Sequence, residues 1–354
     1  MSFFILPKNN NNIIVSPSDS NSECVPYISQ TFHNYYNDLM VEINSISSDQ
    51  SYNELNKIVN PYEYIYSKVP GSNFSVSKLK PKTNTFYDLL EIFNLLNIFD
   101  NFDTSINSIH FTPCYLDSVE CHEMLRETHE DNILYYDKID YPVIKELNDT
   151  KFDFLLFETE CGSNLKEYIT SLIQILIIIL KNQSNRGISI IKLSHTFYKP
   201  VIDILYFLTS IYDKVYILKP NANNITSFDR FIVCKQFIGN NEDIVNLHKI
   251  NCYNLCLFLN KLGNKYISSI LNYDIPYYFK LKINEINIIF GQQQLEAFDL
   301  IINLTKNRNK EDKIESIKKS NIQKSVLWCE KNKIPCNKFT EKINIFLPIN
   351  NENN

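Results

Sequence analysis

Residues 187–237 read GISIIKLSHTFYKPVIDILYFLTSIYDKVYILKPNANNITSFDRFIVCKQF. Gly187–Leu193 is an almost unbroken apolar run that closes on Lys192, and Lys199–Tyr212 has helical spacing. Lys214–Leu218 is a second apolar run, ending at Lys219-Pro220, and Arg230–Phe237 is a third, reached through a polar turn. A strand covered on both faces loses the polar/apolar alternation of a half-exposed one and becomes continuously apolar. Strand, helix, strand in that order is the unit of a parallel sheet. The third run follows without a crossover helix, so it is expected to run antiparallel.

The same alternation extends upstream. Further strands are expected at Ser108–Tyr115, Ile133–Ile139 and Phe152–Phe157, and helices at Ser118–Glu130 and Ser163–Lys181. An amphipathic helix is expected over 84–99, with Phe86, Leu89, Leu90, Phe93 and Leu96 on one side. The expected fold is therefore α/β: a Rossmann-like, doubly wound, mostly parallel sheet with a late antiparallel strand, plus helical N- and C-terminal extensions. The expected divisions are an Asn-rich lead over 1–60, the sheet domain over 61–238 and a mainly helical part over 239–354. Within the lead, Phe32–Ile46 has helical spacing.

Composition narrows the function classes. A net charge of -5 gives no general attraction to nucleic acid, so binding of that kind needs a local basic patch. Two candidates exist: Lys78, Lys80 and Lys82 in one connector, and residues 303–342, where eleven Lys/Arg stand against five Asp/Glu. The second is equally a solvated helix face. The nine cysteines include no CxxC pair and suit reduced thiols in a cytosolic protein. His110, His122 and His129 have no matching ligand pattern, so no metal site is expected and helix packing explains them. The most apolar stretch, Tyr168–Leu180, is too short to span a bilayer, and the start of the chain lacks the layout of a signal peptide. A cytoplasmic protein without a membrane partner is expected. Trp328, the only tryptophan, reads as an anchor for the C-terminal part.

An open α/β sheet binds its ligand beyond the carboxyl ends of its strands. Those ends carry Pro113-Cys114-Tyr115, Glu158 and Lys192, with Asp229 at the start of the antiparallel strand. A lysine among carboxylates is either a fixed ion pair or, if desolvation or a second cation lowers its pKa, a base.

These segments resemble the FtsJ-like RNA ribose 2'-O-methyltransferases, in the branch that holds cap methyltransferases of eukaryotes and large DNA viruses. GISIIKLSHTF is similar to that family's Gly-turn, strand and lysine. VYILKPNANNITSFDRFIVCKQF resembles its strand, Lys-Pro, Ser-rich turn and final strand, and KFDFLLFETE its carboxylate-ended strand. NPYEYI and SKLKPKTNTFYDLLEIF are similar to the elements that open the domain. The resemblance implies S-adenosylmethionine as cofactor, RNA as substrate and a Lys-Asp-Lys-Glu tetrad in which the central lysine activates the ribose hydroxyl. Carried over by position, the central lysine is Lys192, the aspartate is Glu158, the glutamate is Asp229, and Asp88 stands at the first lysine. Cys114 and Tyr115 follow Pro113 where the family has two glycines, so their side chains are expected to fill the cofactor turn. Asp88 is expected to raise the pKa of Lys192.

Three readings stay open. The favoured one is an RNA-binding or scaffolding protein of this fold with reduced or lost catalysis, linked to viral mRNA cap processing as a subunit of a capping or polyadenylation complex. The second is an active cap ribose 2'-O-methyltransferase with variant residues. The third is an unrelated α/β protein. The Asn/Ile/Lys skew suits a giant DNA virus and so a host cytoplasm or virion.

Overall fold

The computed structural model describes residues 3–46, 50–148, 150–158, 164–194, 196–306 and 311–337. Seven strands form one sheet: β1 (Phe3–Ile5), β3 (Asn107–Phe111), β4 (Asn132–Tyr136), β5 (Phe152–Glu158), β6 (Gln183–Leu193), β7 (Tyr212–Leu218) and β8 (Arg230–Phe237). Their spatial order is β1-β7-β8-β6-β5-β3-β4. The central pairs β3–β4, β3–β5 and β5–β6 are parallel, while β8 lies antiparallel between β6 and β7. This is the doubly wound, mostly parallel sheet with a late antiparallel strand that the sequence predicts. Within this sheet one strand was not foreseen: β1, from the Asn-rich lead, adds a second antiparallel partner on the outer side of β7. A two-stranded ribbon joins β2 (Ser18–Ser20) to β9 (Tyr266–Ser269).

Helices cover both faces, and the period of two along each strand assigns residues to them. Leu155, Phe157, Ile191 and Leu193 face α6 (Leu165–Asn182), α7 (Lys199–Ile211) and α8 (Glu242–Leu262). Phe154, Leu156, Ile188 and Ile190 face α3 (Thr85–Leu96), α4 (Tyr115–Leu125) and α10 (Glu311–Lys331). Continuous apolar runs result because both alternating sets are buried. A third core joins α1 (Gln30–Ile46) and α2 (Gln50–Val59) to the far half of α9 (Tyr277–Lys306). The short α5 (Tyr141–Glu146), capped by Asp140 accepting from the Val143 amide at 3.0 Å, links β4 to β5.

Local chemistry sets several boundaries. β3 ends at Phe111, earlier than its apolar run suggests, because Thr112 Oγ1 accepts the Cys114 amide at 3.0 Å and turns the chain into α4. Gly187 is needed for a close approach: a Cβ there would lie 2.0 Å from the folded-back Gln183 amide and 2.9 Å from the Asp153 carbonyl. Trp328 anchors α10 as its isolation suggests, donating from Nε1 to Glu91 Oε2 at 2.9 Å and meeting Tyr87 edge to face. Among the described residues no helix is long and apolar enough to cross a membrane.

Candidate functional site

The alternation that builds the core also assembles the site. Lys192 and Glu158 are direct register partners on adjacent parallel strands. Lys192 follows Ile188 and Ile190 by period two, as Glu158 follows Phe154 and Leu156, so both belong to the face covered by α3. Asp229 stands two residues before Phe231 of that face, at the same carboxyl edge because β8 is antiparallel to β6. Asp88 arrives on α3 itself, 4% exposed.

The cluster is asymmetric. Lys192 Nζ pairs with Asp229 Oδ2 at 3.0 Å, the two side chains 22% and 28% exposed. Burial works against the Lys192 charge, but Asp229 foremost, then Glu158 and Asp88, outweigh it and raise its pKa. Lys192 is thus held as a cation. Glu158 Oε2 accepts from Thr112 Oγ1 at 3.0 Å, while its buried Oε1 has no hydrogen-bond partner among the described residues. Burial pushes the Glu158 carboxyl up to about 7 against the pull of Lys192.

Asp88 raises the Lys192 pKa as expected, but only weakly, because it is itself buried. Its Oδ2 accepts from Asn223 Nδ2 at 2.8 Å, and burial lifts its pKa to about 8. At neutral pH it is mostly protonated, so the charge reversal at the first-lysine position is blunted. Asp88 still favours the Lys192 cation, but behind Asp229 and Glu158.

Sequence reasoning missed Lys219, at the carboxyl end of β7. Its ammonium donates to the carbonyls of Ser227 and Ile225, and burial, with Arg230 adding to it, lowers its pKa to about 7. The signal was present: a lysine before proline at a strand end. Arg230, 2% exposed, turns away from the carboxylates to Thr196 Oγ1 at 2.7 Å and to Asn287 Oδ1.

The turn after β3 carries a correction. The Tyr115 ring lies flat on Tyr135 of the open edge strand β4, centroids 4.1 Å apart and planes 6° from parallel. Among the described residues, the cavity at this switch point, about 230 Å³, is walled by Phe111, Pro113, Asp137, Lys138, Ile139, Glu158 and Ser171. Among the described residues neither Cys114 nor Tyr115 is in that wall; the Tyr115 ring is stacked on Tyr135 instead. A larger groove of about 770 Å³ lies between α1 and α9; its wall includes Glu296 and Asp299 but no residue from the strand ends.

Lys78, Lys80 and Lys82 are all exposed. Asp117 accepts the Lys82 amide at 2.7 Å and the Thr83 amide at 2.7 Å, pinning their loop to the start of α4. The Lys78 amide donates to the Pro335 carbonyl at 2.9 Å, which brings the loop beside the segment after α10. On that helix and beyond it Lys313, Lys319, Lys324, Lys331 and Lys333 are exposed. The rest of the basic run, 307–310 and 338–342, lies outside the described residues.

No protein-family model and no curated protein matches the chain. Among solved structures, one assigned as a hemolysin from Streptococcus thermophilus is 11% identical, covers 52% of this chain and 78% of its own, and has a TM-score of 0.29. Another, assigned as a spermidine synthase from Corynebacterium glutamicum, is 9% identical, covers 60% of this chain and 83% of its own, and has a TM-score of 0.31. Likenesses at this level carry no argument about function, which rests on the geometry above.

Proposed function

We propose that this protein is a methyltransferase-fold RNA-binding protein with reduced or lost catalysis, of the FtsJ-like type and acting in viral mRNA cap processing. A capping or polyadenylation complex is the setting in which such a subunit would serve. The observation that carries the reading is the Lys192–Asp229 pair at 3.0 Å, with the lysine pKa raised. A base that must withdraw a ribose proton needs the opposite shift. The exposed lysines flanking Asp117 and along α10 are the phosphate-binding surface in this reading.

The small size of the switch-point cavity among the described residues supports the reading without a bound S-adenosylmethionine. About 230 Å³ lies below the ~300–1,000 Å³ of ordinary small-molecule sites. The Glu158 carboxyl in its wall, with a pKa near 7, is neutral for about half the molecules at neutral pH. One observation favours the alternative of an active cap ribose methyltransferase with variant residues: the Tyr115 ring stacks on Tyr135 and leaves the cavity open.

Calorimetric titration with S-adenosylmethionine, run beside RNA binding, separates the two. The proposal expects RNA binding without saturable cofactor uptake. Tight, stoichiometric uptake refutes it in favour of the active enzyme.

A further inference from the structure

The groove of about 770 Å³ between α1 and α9 combines an apolar seam with a one-sided charge. Ile288 and Leu295 of its wall stand seven residues apart on α9, and Leu281 continues the line a further seven residues back. That spacing puts all three on one face of the helix. Leu281 is 47% and Ile288 51% exposed, and Tyr35 of α1, equally exposed, forms the opposite wall. α9 already buries Ile283, Ile286 and Phe290 in the sheet core, so this short seam is a second apolar face.

The groove has a fixed shape. Ser29 Oγ donates to Asn284 Oδ1 at 2.6 Å where α1 begins. A Cβ on Gly291 would lie 2.3 Å from the Phe32 ring, so the missing side chain lets α1 press onto α9 there. Further along, Lys306 pairs with Glu42 at 2.8 Å. The two helices therefore run side by side in the same direction.

The charge is acidic at one end. Glu296 and Asp299 stand exposed in the wall, and Gln292 Nε2 fixes Glu296 by donating to its Oε1 at 3.0 Å. Asp38, exposed one turn beyond Tyr35, adds a carboxylate on the α1 side. No Lys, Arg or His stands in the wall among the described residues. Such a surface repels a phosphate backbone and attracts a basic peptide. A second copy of this chain matches it poorly: α10 offers lysines, but among the described residues Leu327 is the one large apolar side chain exposed on it.

We infer that this groove docks an amphipathic helix of a partner protein, its apolar residues on the seam and its lysines or arginines over Glu296 and Asp299. From Leu281 to Asp299 the α9 axis runs about 27 Å, room for a partner helix of about five turns. The inference concerns a surface apart from the strand ends and does not depend on RNA binding.

The test is fluorescence anisotropy of the full chain with two labelled synthetic helical peptides of about eighteen residues. Both carry leucine every third and fourth residue; one has paired lysines at each end, the other paired glutamates. Wild type is expected to bind the lysine peptide about tenfold more tightly than the glutamate peptide. Glu296→Lys with Asp299→Lys, both on the surface, should invert that order, and Ile288→Glu should weaken both peptides by about tenfold or more. Binding of neither peptide by wild type, or an order that the charge swap leaves unchanged, overturns the proposal. A full-chain dimer that Ile288→Glu dissociates also overturns it and gives the groove to a second copy.

Discussion

Asp88→Asn isolates the cost of placing a carboxyl under the sheet. Asp88 is 4% exposed and its pKa stands at about 8 rather than the ordinary 3.8. The sign follows from linkage. The folded state binds the proton more tightly than the unfolded state, so stability falls as pH rises from about 4 and levels off above about 8. The gap is about four pK units at ~1.4 kcal/mol each, of which about three lie below pH 7. The upper limit on the penalty at pH 7 is therefore about 4 kcal/mol, less whatever relaxation recovers, the pull of Lys192 being already included in the shift. Asparagine keeps the shape and cannot ionise. Urea unfolding of wild type and Asp88→Asn at pH 5, 7 and 8.5 should show the variant gaining stability relative to wild type with each step. Parallel curves for the two proteins across that range would refute the buried-carboxyl account.

Three further outcomes follow from other parts of the molecule. Burial holds His110 and His122 neutral, with pKa values below the ordinary 6.5. Stability they support is complete above about pH 6.5 and lost below it, as the unfolded chain takes up protons; His110→Gln should flatten the fall in melting temperature between pH 7.5 and 5. Trp328→Phe keeps the ring but removes the donor to buried Glu91, and should cost about 1–3 kcal/mol in urea unfolding followed by circular dichroism. Lys78→Glu, Lys80→Glu and Lys82→Glu together should weaken RNA binding and make its log–log salt slope shallower by about two, at ~0.7 per phosphate contact on single strands; an unchanged slope removes these lysines from the interface.

The fold was legible where burial on both faces writes itself into composition. FDFLLF and ISIIKL could only be central strands. β1 was not legible, because three residues carry no periodicity and their pairing with β7 is set by tertiary contact. The thirty-residue α9 was obscured for another reason: its near half packs against the sheet core and its far half against α1 and α2, so no single apolar stripe runs its length. Strand ends were enough to expect Lys192, Glu158 and Asp229 at one edge of the sheet, where the structure places them, without any knowledge of side-chain directions. The course of the Tyr115 ring depended on Tyr135 twenty residues away, and the protonation of Asp88 on its depth under α3; neither is written in local sequence. Lys219 was readable as a strand-end lysine, but its desolvation came only with the packing around it.

The most direct measurement is transfer of labelled methyl from S-adenosylmethionine to capped and uncapped RNA by the full chain, with Lys192→Ala as control. The account predicts no turnover above that control at neutral pH, because Lys192 is a cation held by Asp229. Turnover by wild type that Lys192→Ala abolishes would contradict it and make the chain an active ribose methyltransferase.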